Sequence, residues 1–448
     1  MYSLSCYNNE SQPKIVGGSG VFLHTSDGRR MFDACSGAAV SCLGHGNQRV
    51  IKAISNQLNT GTPYLASATW RNDTTEDLCR ELIQGTSGKM QRVYLTGSGS
   101  EAMEAAIKIS YQYHYELDNK TKRLNFITRR NSYHGNTIGA LSISGHVARK
   151  RIYTPMLMNN VYDISPCYPY RQQQEDESNI EFVAKKATEL EQKFQEIGPD
   201  TVIAFIMEPI AGAALGCAPS IPGYLNAMRE ICHRHGALFI LDEVMCGMGR
   251  TGYLHAWQAE DIPPDIQTIA KGLGAGYQPI AAMMISKTVE RVVVNSNTGF
   301  IHGLTFQSMP VQAAAALEVQ RIIRQENLLN NVKEQGSLLG KILKETLGDH
   351  PNVGDIRGQG LLWALEFIKD KKSKRPFDPK LRVAQRILDL GMTPKFNIVI
   401  YPGTGTIDGI EGDHIIIAPP YIITRQDIQY ITKVITQVII EVFLGIHN

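Results

Sequence analysis

The chain has 448 residues, 43% of them hydrophobic, which is enough for two or three domains or for one large α/β subunit with a sizeable core. Charged residues make up 20% and the formal net charge is +2, so the composition argues against nucleic acid or an anionic membrane as a partner. The eight cysteines form no CxxC pair and lack metal-ligand spacing, so we expect reduced thiols, no metal site and a cytoplasmic location. We find no signal or transit peptide pattern and expect no membrane span.

The N-terminal region begins with a polar stretch, residues 1–13, which is predicted to form a loose arm. Residues 21–34 predict a β-hairpin that turns at Ser26, Asp27 and Gly28. A stretch rich in small residues follows, which the residues alone describe as a Gly-rich connector, and then a helix is predicted from Gln48 to Leu58.

A candidate phosphate site follows the β-rich run 92–96. The chain enters a Gly-rich turn and then a helix, and Ser98 with Glu101 fits a capping box. This cap leaves the backbone N–H groups of Ser98, Gly99 and Ser100 free at the positive end of the helix, where phosphate binds. The turn matches neither the dinucleotide pattern GxGxxG nor the P-loop.

The strongest chemical signal comes from an acid and an amine. Five apolar residues, 237–241, run into Asp242 and Glu243, as expected for a parallel strand that is covered on both faces and ends at a ligand crevice. Lys271 lies further on in a Gly-rich, otherwise uncharged stretch, where desolvation would lower the pKa of its amine. The pair suggests pyridoxal 5'-phosphate (PLP), held by the lysine as a Schiff base while Asp242 keeps the ring nitrogen protonated. Taken singly, each residue is more often a strand cap or a solvated loop residue.

The remaining elements alternate between helix and strand. A second buried strand, 201–207, runs into Glu208, and a polar surface connector is predicted at 168–181. A long helix from Pro310 to about Leu329 should link the two halves of the chain. Beyond it we expect a helix through Leu347, strands near 361–368, 397–401 and 413–417, a helix to Leu390 and a last amphipathic helix that Thr424 and Asp427 cap.

With these motifs in this order, the chain resembles the class III, or omega, aminotransferases of PLP fold type I. The resemblance runs from Gly18 to the C-terminal helix. It implies an α/β fold, with a large domain whose mostly parallel central sheet is covered by helices, and a smaller α+β domain formed by both chain termini. The implied boundaries are 1–60 for an N-terminal arm and part of the small domain, 61–329 for the large PLP-binding domain, and 330–448 for the C-terminal small domain.

The resemblance also assigns roles to single residues. Lys271 and Asp242 are the catalytic pair, Tyr133 stacks on the cofactor ring, and Thr305 reaches the phosphate of the neighbouring subunit, which implies a homodimer with shared active sites. The cofactor-binding residues expected on this basis are Ser98, Gly99, Ser100, Tyr133, His134, Glu208, Asp242, Val244, Lys271 and Thr305.

The same resemblance places the substrate pocket. Residues 36–47 are expected to form a strand and a loop, with Ala39 and Val40 shaping one wall of the pocket, and Tyr401 is expected to be a further pocket residue.

Three positions depart from the better-known branches of the family. Asn136, Ala213 and Tyr401 stand where those branches carry charges that handle a substrate carboxylate. Since a buried carboxylate normally needs a bidentate arginine, the chain should not be an ornithine- or acetylornithine-type enzyme. We expect a substrate whose amine is remote from a carboxylate, or one that lacks a carboxylate.

Transamination between an amine or omega-amino substrate and a keto acid or aldehyde is therefore the predicted function. A PLP-dependent decarboxylase or aminomutase on the same fold is an alternative, because pocket geometry decides which bond breaks. A non-catalytic binding protein is a third hypothesis, against which the presence of both Lys271 and Asp242 argues.

Overall fold

The structure is a computed structural model that describes residues 13–118 and 120–447. Nearly all of the predicted N-terminal arm, together with Cys6, lies outside these residues. The other seven cysteines are free thiols.

The described residues form strands and helices in alternation. The strands are β1 Ile15–Ser19, β2 Phe22–Thr25, β3 Arg30–Asp33, β4 Met90–Thr96, β5 Asn125–Arg129, β6 Val161–Ile164, β7 Val202–Met207, β8 Ile210–Ala211, β9 Ala218–Pro219, β10 Leu238–Asp242, β11 Ile266–Ile269, β12 Ala281–Ser286, β13 Val353–Gln359, β14 Leu362–Phe367, β15 Ile398–Val399, β16 Tyr401–Thr404 and β17 Asp413–Ile417. The helices are α1 Ser36–Ala39, α2 Gln48–Asn59, α3 Asp73–Gly85, α4 Gly99–Leu117, α5 Ile138–Ser142, α6 Val147–Lys150, α7 Pro169–Gln172, α8 Asn179–Ile197, α9 Tyr224–Arg234, α10 Lys287–Val293, α11 Pro310–Gln325, α12 Leu328–Leu347, α13 Val383–Gly391 and α14 Arg425–His447.

A seven-stranded sheet forms the centre of the molecule, in the order β4-β12-β11-β10-β7-β5-β6. The four neighbouring pairs from β11 to β6 are parallel, and β12 runs antiparallel to both β11 and β4. The expected mostly parallel sheet of a PLP fold type I domain is thereby confirmed.

Helices cover both faces of this sheet, and β10 shows how. Its side chains alternate, so Leu238 and Ile240 pack on the face of α4, while Phe239 and Leu241 pack on the face of α8 and α9. Burying each such side chain stabilises the fold by about 1.5–3 kcal/mol. Continued by one residue, the alternation directs Asp242 toward the α4 face.

Both ends of the chain contribute to the smaller sheets. The order β1-β2-β3-β15 joins N-terminal strands to a C-terminal strand, with Ile398 opposite Phe32 in parallel register. The order β13-β14-β17-β16 gives a second four-stranded sheet, and α12, α13 and α14 share one apolar core with both sheets. A smaller α+β part formed by both termini is confirmed, and the boundaries after residues 60 and 329 stay predictions.

The stretch after β3 differs from its prediction. Residues 36–39 form a kinked helical turn instead of a strand, because Ser36, Gly37 and Ala39 all have positive φ. The carboxylate of Asp33 accepts hydrogen bonds from the backbone N–H groups of Cys35 and Gly37, which bends the chain here.

Other differences concern helix boundaries and one strand. The helix from Pro310 ends at Gln325, since Asn327 has a φ of +50° and α12 starts anew after it. Strand β13 was not predicted. The connector at 168–181 is not wholly on the surface, because Tyr168 is buried and its hydroxyl donates to Glu366.

Two buried arginines tie the chain segments together. Arg250, in the loop after β10, donates to the carbonyl oxygens of Leu361, Pro419 and Ala39. Arg357, on β13, donates to the carbonyl oxygens of residues 215 and 216 and to Glu366. The sequence predicted neither contact. Arg250 fixes the C-terminal segments against the loop after β10, and Arg357 fixes β13 against the loop between β8 and β9.

In the last helix, α14, the segment 425–446 is long and apolar enough to cross a membrane, by length and composition alone. Half of that stretch is buried inside the protein. Its buried residues, among them Ile428, Ile431 and Ile435, belong to the core shared with α12 and α13. This burial is typical of a core helix.

A buried polar network lies beneath the end of β10. The indole N–H of Trp257 donates to Gln267 Oε1 at 3.2 Å, which orients the amide so that Gln267 Nε2 donates to His255 Nδ1 at 2.9 Å. His255 Nδ1 must therefore be an acceptor, and burial lowers the pKa of His255 to about 3.

We predict that His255 makes the fold sensitive to acid. Its folded pKa of about 3 lies below the ordinary value of 6.5, so the stability contributed by the neutral ring is complete above pH 6.5 and is lost as the pH falls toward 3. The loss approaches about 1.4 kcal/mol per pH unit. Denaturant unfolding at pH 7, 6 and 5 should show a shallower pH dependence for His255→Gln than for the wild type. The partly exposed His24 supplies the control His24→Gln, and an equal change in both variants would contradict the prediction.

Candidate active site

The predicted site lies at the carboxyl ends of neighbouring parallel strands. Strand β7 runs into Glu208, β10 ends with Asp242, and Lys271 begins a short helical turn just after β11. Because these strands are adjacent and parallel, their ends meet at one edge of the sheet, where ligands bind in open α/β sheets.

Asp242 is buried, with 3% of its surface exposed, and both carboxylate oxygens are hydrogen bonded. Its Oδ2 lies 2.8 Å from His134 Nδ1. Its Oδ1 accepts from the backbone N–H of Val244 at 3.0 Å and from the hydroxyl of Thr268 at 3.2 Å. Thr268 lies beside Asp242 because the two residues are register partners on β10 and β11. The carboxylate is thus held in one orientation by three elements.

Glu208 is the second buried carboxylate at this edge. It accepts from the backbone N–H of Tyr133 at 3.1 Å and from that of Gly212 at 2.8 Å. Burial raises the pKa of Glu208, and the nearby charge of Asp242 raises it further. Glu208 therefore fixes the backbone at Tyr133, the residue predicted to cover the cofactor ring.

Lys271 has an unusual backbone and an unusual environment. Its φ of +43° lies in the left-handed region, a strained conformation for a residue with a side chain. Burial lowers the pKa of its amine, against the opposing charges of Asp242 and Glu208. The amine of Lys271 forms no hydrogen bond to a described residue. Its burial therefore leaves it less basic than the amine of an ordinary lysine.

The start of α4 has the predicted cap, with one difference. Ser98 Oγ accepts from the backbone N–H of Glu101 at 3.3 Å, as a capping residue should. The carboxylate of Glu101 reaches back to the N–H of Gly97 at 2.8 Å instead of that of Ser98. The Ser98 N–H therefore remains available to a ligand beside those of Gly99 and Ser100.

Two glycines allow close approach around this helix start. A Cβ on Gly99 would lie 3.0 Å from Val244 Cγ1 and 3.7 Å from the Cβ of Ala270, the neighbour of Lys271. A Cβ on Gly135 would lie 2.7 Å from Ser100 Oγ, and Gly135 has a φ of +135°. The structure thereby brings the candidate phosphate site, the residues after Asp242 and the segment before Lys271 together.

Tyr133 is half-buried and lies against two basic residues. The guanidinium carbon of Arg149, on α6, lies 4.8 Å from the ring centroid of Tyr133. The ring of His146 meets the Tyr133 ring edge-on at 6.0 Å. Neither neighbour was identified from the sequence, since no local pattern connects residues 146–149 to Tyr133.

The predicted pocket residues come close to the same region from the smaller domain. Ala39 is buried in a cluster that contains Met245 and Cys246 and against which Tyr401 packs. Val40 faces Gly276, where an added Cβ would lie 3.2 Å from Val40 Cγ1. Ala39 and Tyr401 therefore share a wall, and Val40 lies beside it.

Thr305 is exposed and Ala213 is half-buried. Asn136 is also exposed, but its backbone N–H donates to Ser100 Oγ at 3.0 Å, so it lies beside the candidate phosphate site. No hydrogen bond links Thr305 to the start of α4 within the described residues. A cavity of about 560 Å³ lies elsewhere, lined by residues of α3, α11 and α12, and contains none of the predicted site residues.

The chain is similar to known proteins over nearly its whole length. A family model described as Aminotransferase class-III matches residues 6–439. An aminotransferase from Gibberella zeae is 46% identical over 417 residues, which cover 93% of this chain and 81% of that protein. An uncharacterized aminotransferase from Schizosaccharomyces pombe is 41% identical over 96% of this chain and 93% of that protein.

A solved structure shows the same likeness in three dimensions. The omega transaminase from Pseudomonas jessenii in complex with PMP superimposes with a TM-score of 0.90 at 31% identity, covering 99% of this chain and 97% of that one. The similarity therefore extends over the central sheet, the two four-stranded sheets and their helices.

We predict that the hydrogen bond between His134 and Asp242 contributes measurably to the free energy of unfolding. His134→Leu leaves a buried carboxylate short of a donor and should lower the free energy of unfolding by about 3 kcal/mol. Thr268→Val removes the longer hydroxyl bond and should cost about 1 kcal/mol.

Denaturant unfolding of the purified variants measures both losses. The matched control is His114→Leu, because His114 is equally buried but bonds to a backbone carbonyl oxygen, that of Ile203, at 3.0 Å. A loss for His134→Leu no larger than that for His114→Leu would contradict the special role of the carboxylate.

Proposed function

The chain belongs to the class III aminotransferases, and on that premise we propose that it transfers an amino group between an amine or omega-amino compound and a keto acid or aldehyde, with Lys271 as the residue that binds the cofactor covalently. Enzymes of this class are PLP-dependent transaminases. The observation that carries the assignment of Lys271 is its amine, which burial makes less basic and which has no hydrogen bond to a described residue.

The residues at the site fit PLP. The free backbone N–H groups at the start of α4 can donate hydrogen bonds to the phosphate of PLP. The space beside these groups exists because Gly99 and Gly135 lack a Cβ. A basic ring nitrogen is matched by the buried carboxylate of Asp242. Val244, at partial exposure, lies between these two features, next to Gly99. The donor set, the acceptor and the amine thus correspond to the phosphate, the ring nitrogen and the aldehyde of the cofactor.

PLP supplies an electron sink for the charge that develops when the substrate loses a proton. Lys271 would hold the cofactor through its amine, and the same amine would act as general base and acid toward the proton on the substrate α-carbon. A pKa below the ordinary lysine value favours this role, because the neutral amine is then available nearer to neutral pH. Asp242 keeps the ring nitrogen protonated, and its bond to His134 keeps the carboxylate aimed.

The remaining assigned residues hold the cofactor in place. Tyr133 covers the ring, and Glu208 positions Tyr133 through the backbone N–H. Ser98, Gly99 and Ser100 bind the phosphate.

The substrate class follows from what the site lacks. Asn136, Ala213 and Tyr401 provide no positive charge, so an ornithine-type clamp for an α-carboxylate is absent at the positions where the family's better-known branches have one. We propose amines without an adjacent carboxylate as donors. Ala39 and Tyr401, which share an apolar cluster, would form the wall against the donor.

A homodimer is part of this proposal. Two large apolar side chains are exposed close to Thr305, Tyr64 at 43% and Phe306 at 63%, and their rings lie 6.2 Å apart. Monomers rarely expose adjoining apolar groups of this size. A second copy packed here would cover them and would bring its Thr305 to the phosphate site of the first. The free cysteines fit a reducing compartment, and we propose a cytoplasmic location on that ground.

We predict that PLP is attached to Lys271. After reduction of the PLP-loaded protein with borohydride, mass spectrometry of a digest should find the cofactor on the Lys271 peptide. Lys271→Ala should lose it and should slow amino transfer by about 10²–10⁴-fold. The exposed Lys287 supplies the control Lys287→Ala. Label on another lysine, or an undiminished rate in Lys271→Ala, would refute the assignment, and release of carbon dioxide or an isomerised amine would favour the alternative reactions.

We predict that the phosphate site is completed across the dimer. Light scattering should give twice the chain mass of 49.6 kDa. Thr305→Ala should weaken PLP binding about tenfold, as expected for loss of a hydrogen bond to a charged group. Heterodimers of Lys271→Ala chains with Thr305→Ala chains should regain one site of wild-type PLP affinity, because the two defects then fall in the same site.

The heterodimer distinguishes the two arrangements. If Thr305 acted within its own chain, the site that retains Lys271 would keep the weakened affinity. Phe306→Glu should favour the monomer, whereas Ile180→Glu, at an apolar residue that is 82% exposed on α8, should not.

A further inference from the structure

The proposed reaction leaves one requirement unmet. A keto acid acceptor carries a carboxylate on the carbon next to the reacting carbonyl, and bringing that charge into a partly desolvated site needs a cationic partner. The three positions considered above supply none. The partner must therefore come from elsewhere around Tyr133.

Most cations near the site are already engaged. Arg129 donates to the carbonyl oxygen of Glu208 at 2.6 Å. Lys150 donates to the carbonyl oxygens of Ser142 and Ser144. Arg250 is buried and donates to three carbonyl oxygens. None of these groups can turn toward a substrate without breaking its present bonds.

Arg149 differs from them. It is exposed, its guanidinium lies over the Tyr133 ring at 4.8 Å, and no carboxylate of a described residue forms an ion pair with it. Its neighbour His146 is a weaker competitor for an anion, because burial, followed by the charge of Arg149, lowers the pKa of His146 and so disfavours its charged form. The guanidinium is therefore the available cation at this side of the site.

The surroundings hold Arg149 in place. Asn131, two residues before Tyr133, donates to the carbonyl oxygens of Thr406 and Ile407. The loop that contains them also packs on α6, since a Cβ added to Gly409 would lie 2.4 Å from Val147 Cβ. The loop between β16 and β17 thus braces both Tyr133 and the short helix that carries Arg149.

We propose that Arg149 binds the carboxylate of the amino acceptor, so that keto acids are recognised at the edge of Tyr133 and not at the positions of Asn136, Ala213 or Tyr401. This inference rests on the proposed aminotransferase function. It names keto acids as the preferred acceptor class and Arg149 as a specificity-determining residue. The planar guanidinium can offer two parallel N–H donors to the carboxylate while its face remains on the tyrosine ring.

Paired acceptors test the proposal. With one amine donor, chosen from a panel as the fastest, KM is measured for pyruvate and for propanal, which has the same carbon chain without the carboxylate. Arg149→Met should raise the KM for pyruvate about tenfold, as expected for loss of charge-assisted bonds in a partly exposed pair. It should leave the KM for propanal within about twofold, because no charge is involved. Arg149→Lys should restore only part of the pyruvate affinity, since an ammonium group lacks the planar fork.

Two further measurements separate recognition from a structural effect. Propanoate has the carboxylate but no reacting carbonyl, so it should compete with pyruvate in the wild type and about tenfold more weakly in Arg149→Met. Arg151→Met, at an exposed arginine two residues further on, removes the same charge and should behave as the wild type.

The outcomes are distinguishable from failure of the proposed function. Three results would overturn the role of Arg149 while amino transfer stands. The first is a parallel rise of both KM values in Arg149→Met, and the second is an equal effect of Arg149→Met and Arg151→Met. The third is a wild type that uses propanal but not pyruvate. A wild type that transfers no amino group to either acceptor would overturn both proposals.

Discussion

Two buried carboxylates and the half-buried Lys271 lie together at one edge of the central sheet, and many contacts of the fold serve to satisfy the two carboxylates. A carboxylate leaves water at a high cost unless donors replace its hydration. Asp242 receives donors from Val244, Thr268 and His134, and Glu208 receives two backbone N–H groups. These donors come from β11, from the turn after β10, from the segment after β5 and from the residue after β8. The contacts that satisfy the two carboxylates therefore also fix the relative positions of these four segments.

The smaller domain is attached by the same kind of interaction. Arg250 and Arg357 carry positive charges into the interior, where carbonyl oxygens from distant segments satisfy them. Each guanidinium also lies over an aromatic ring, that of Tyr421 for Arg250 and that of Tyr168 for Arg357. Since Ala39 is one of the residues whose carbonyl oxygen Arg250 binds, the wall of the proposed substrate pocket is positioned from the loop that follows Asp242.

The sequence predicts the centre of the molecule better than its edges. The apolar run before Asp242 has a single reading as a doubly covered strand, and Ser98 caps α4 through a local bond that its spacing to Glu101 reveals. The turn at 36–39 could not be foreseen, because it depends on side-chain bonds from Asp33 that compete with strand formation. The contact between Arg149 and Tyr133 joins separate segments, and no local pattern records it.

The placement of charge explains how one site can serve two unlike substrates. A buried arginine at the position of Ala213 or Tyr401 would need a carboxylate at all times, and an amine donor without one would leave it unpaired at a cost of several kcal/mol. An exposed arginine at the rim remains hydrated when the donor is bound, so the donor pays no such penalty. It still pairs with the carboxylate when a keto acid follows. In the proposed reaction, Arg149 is exposed, so donor and acceptor can bind in turn without a conformational change of an arginine side chain.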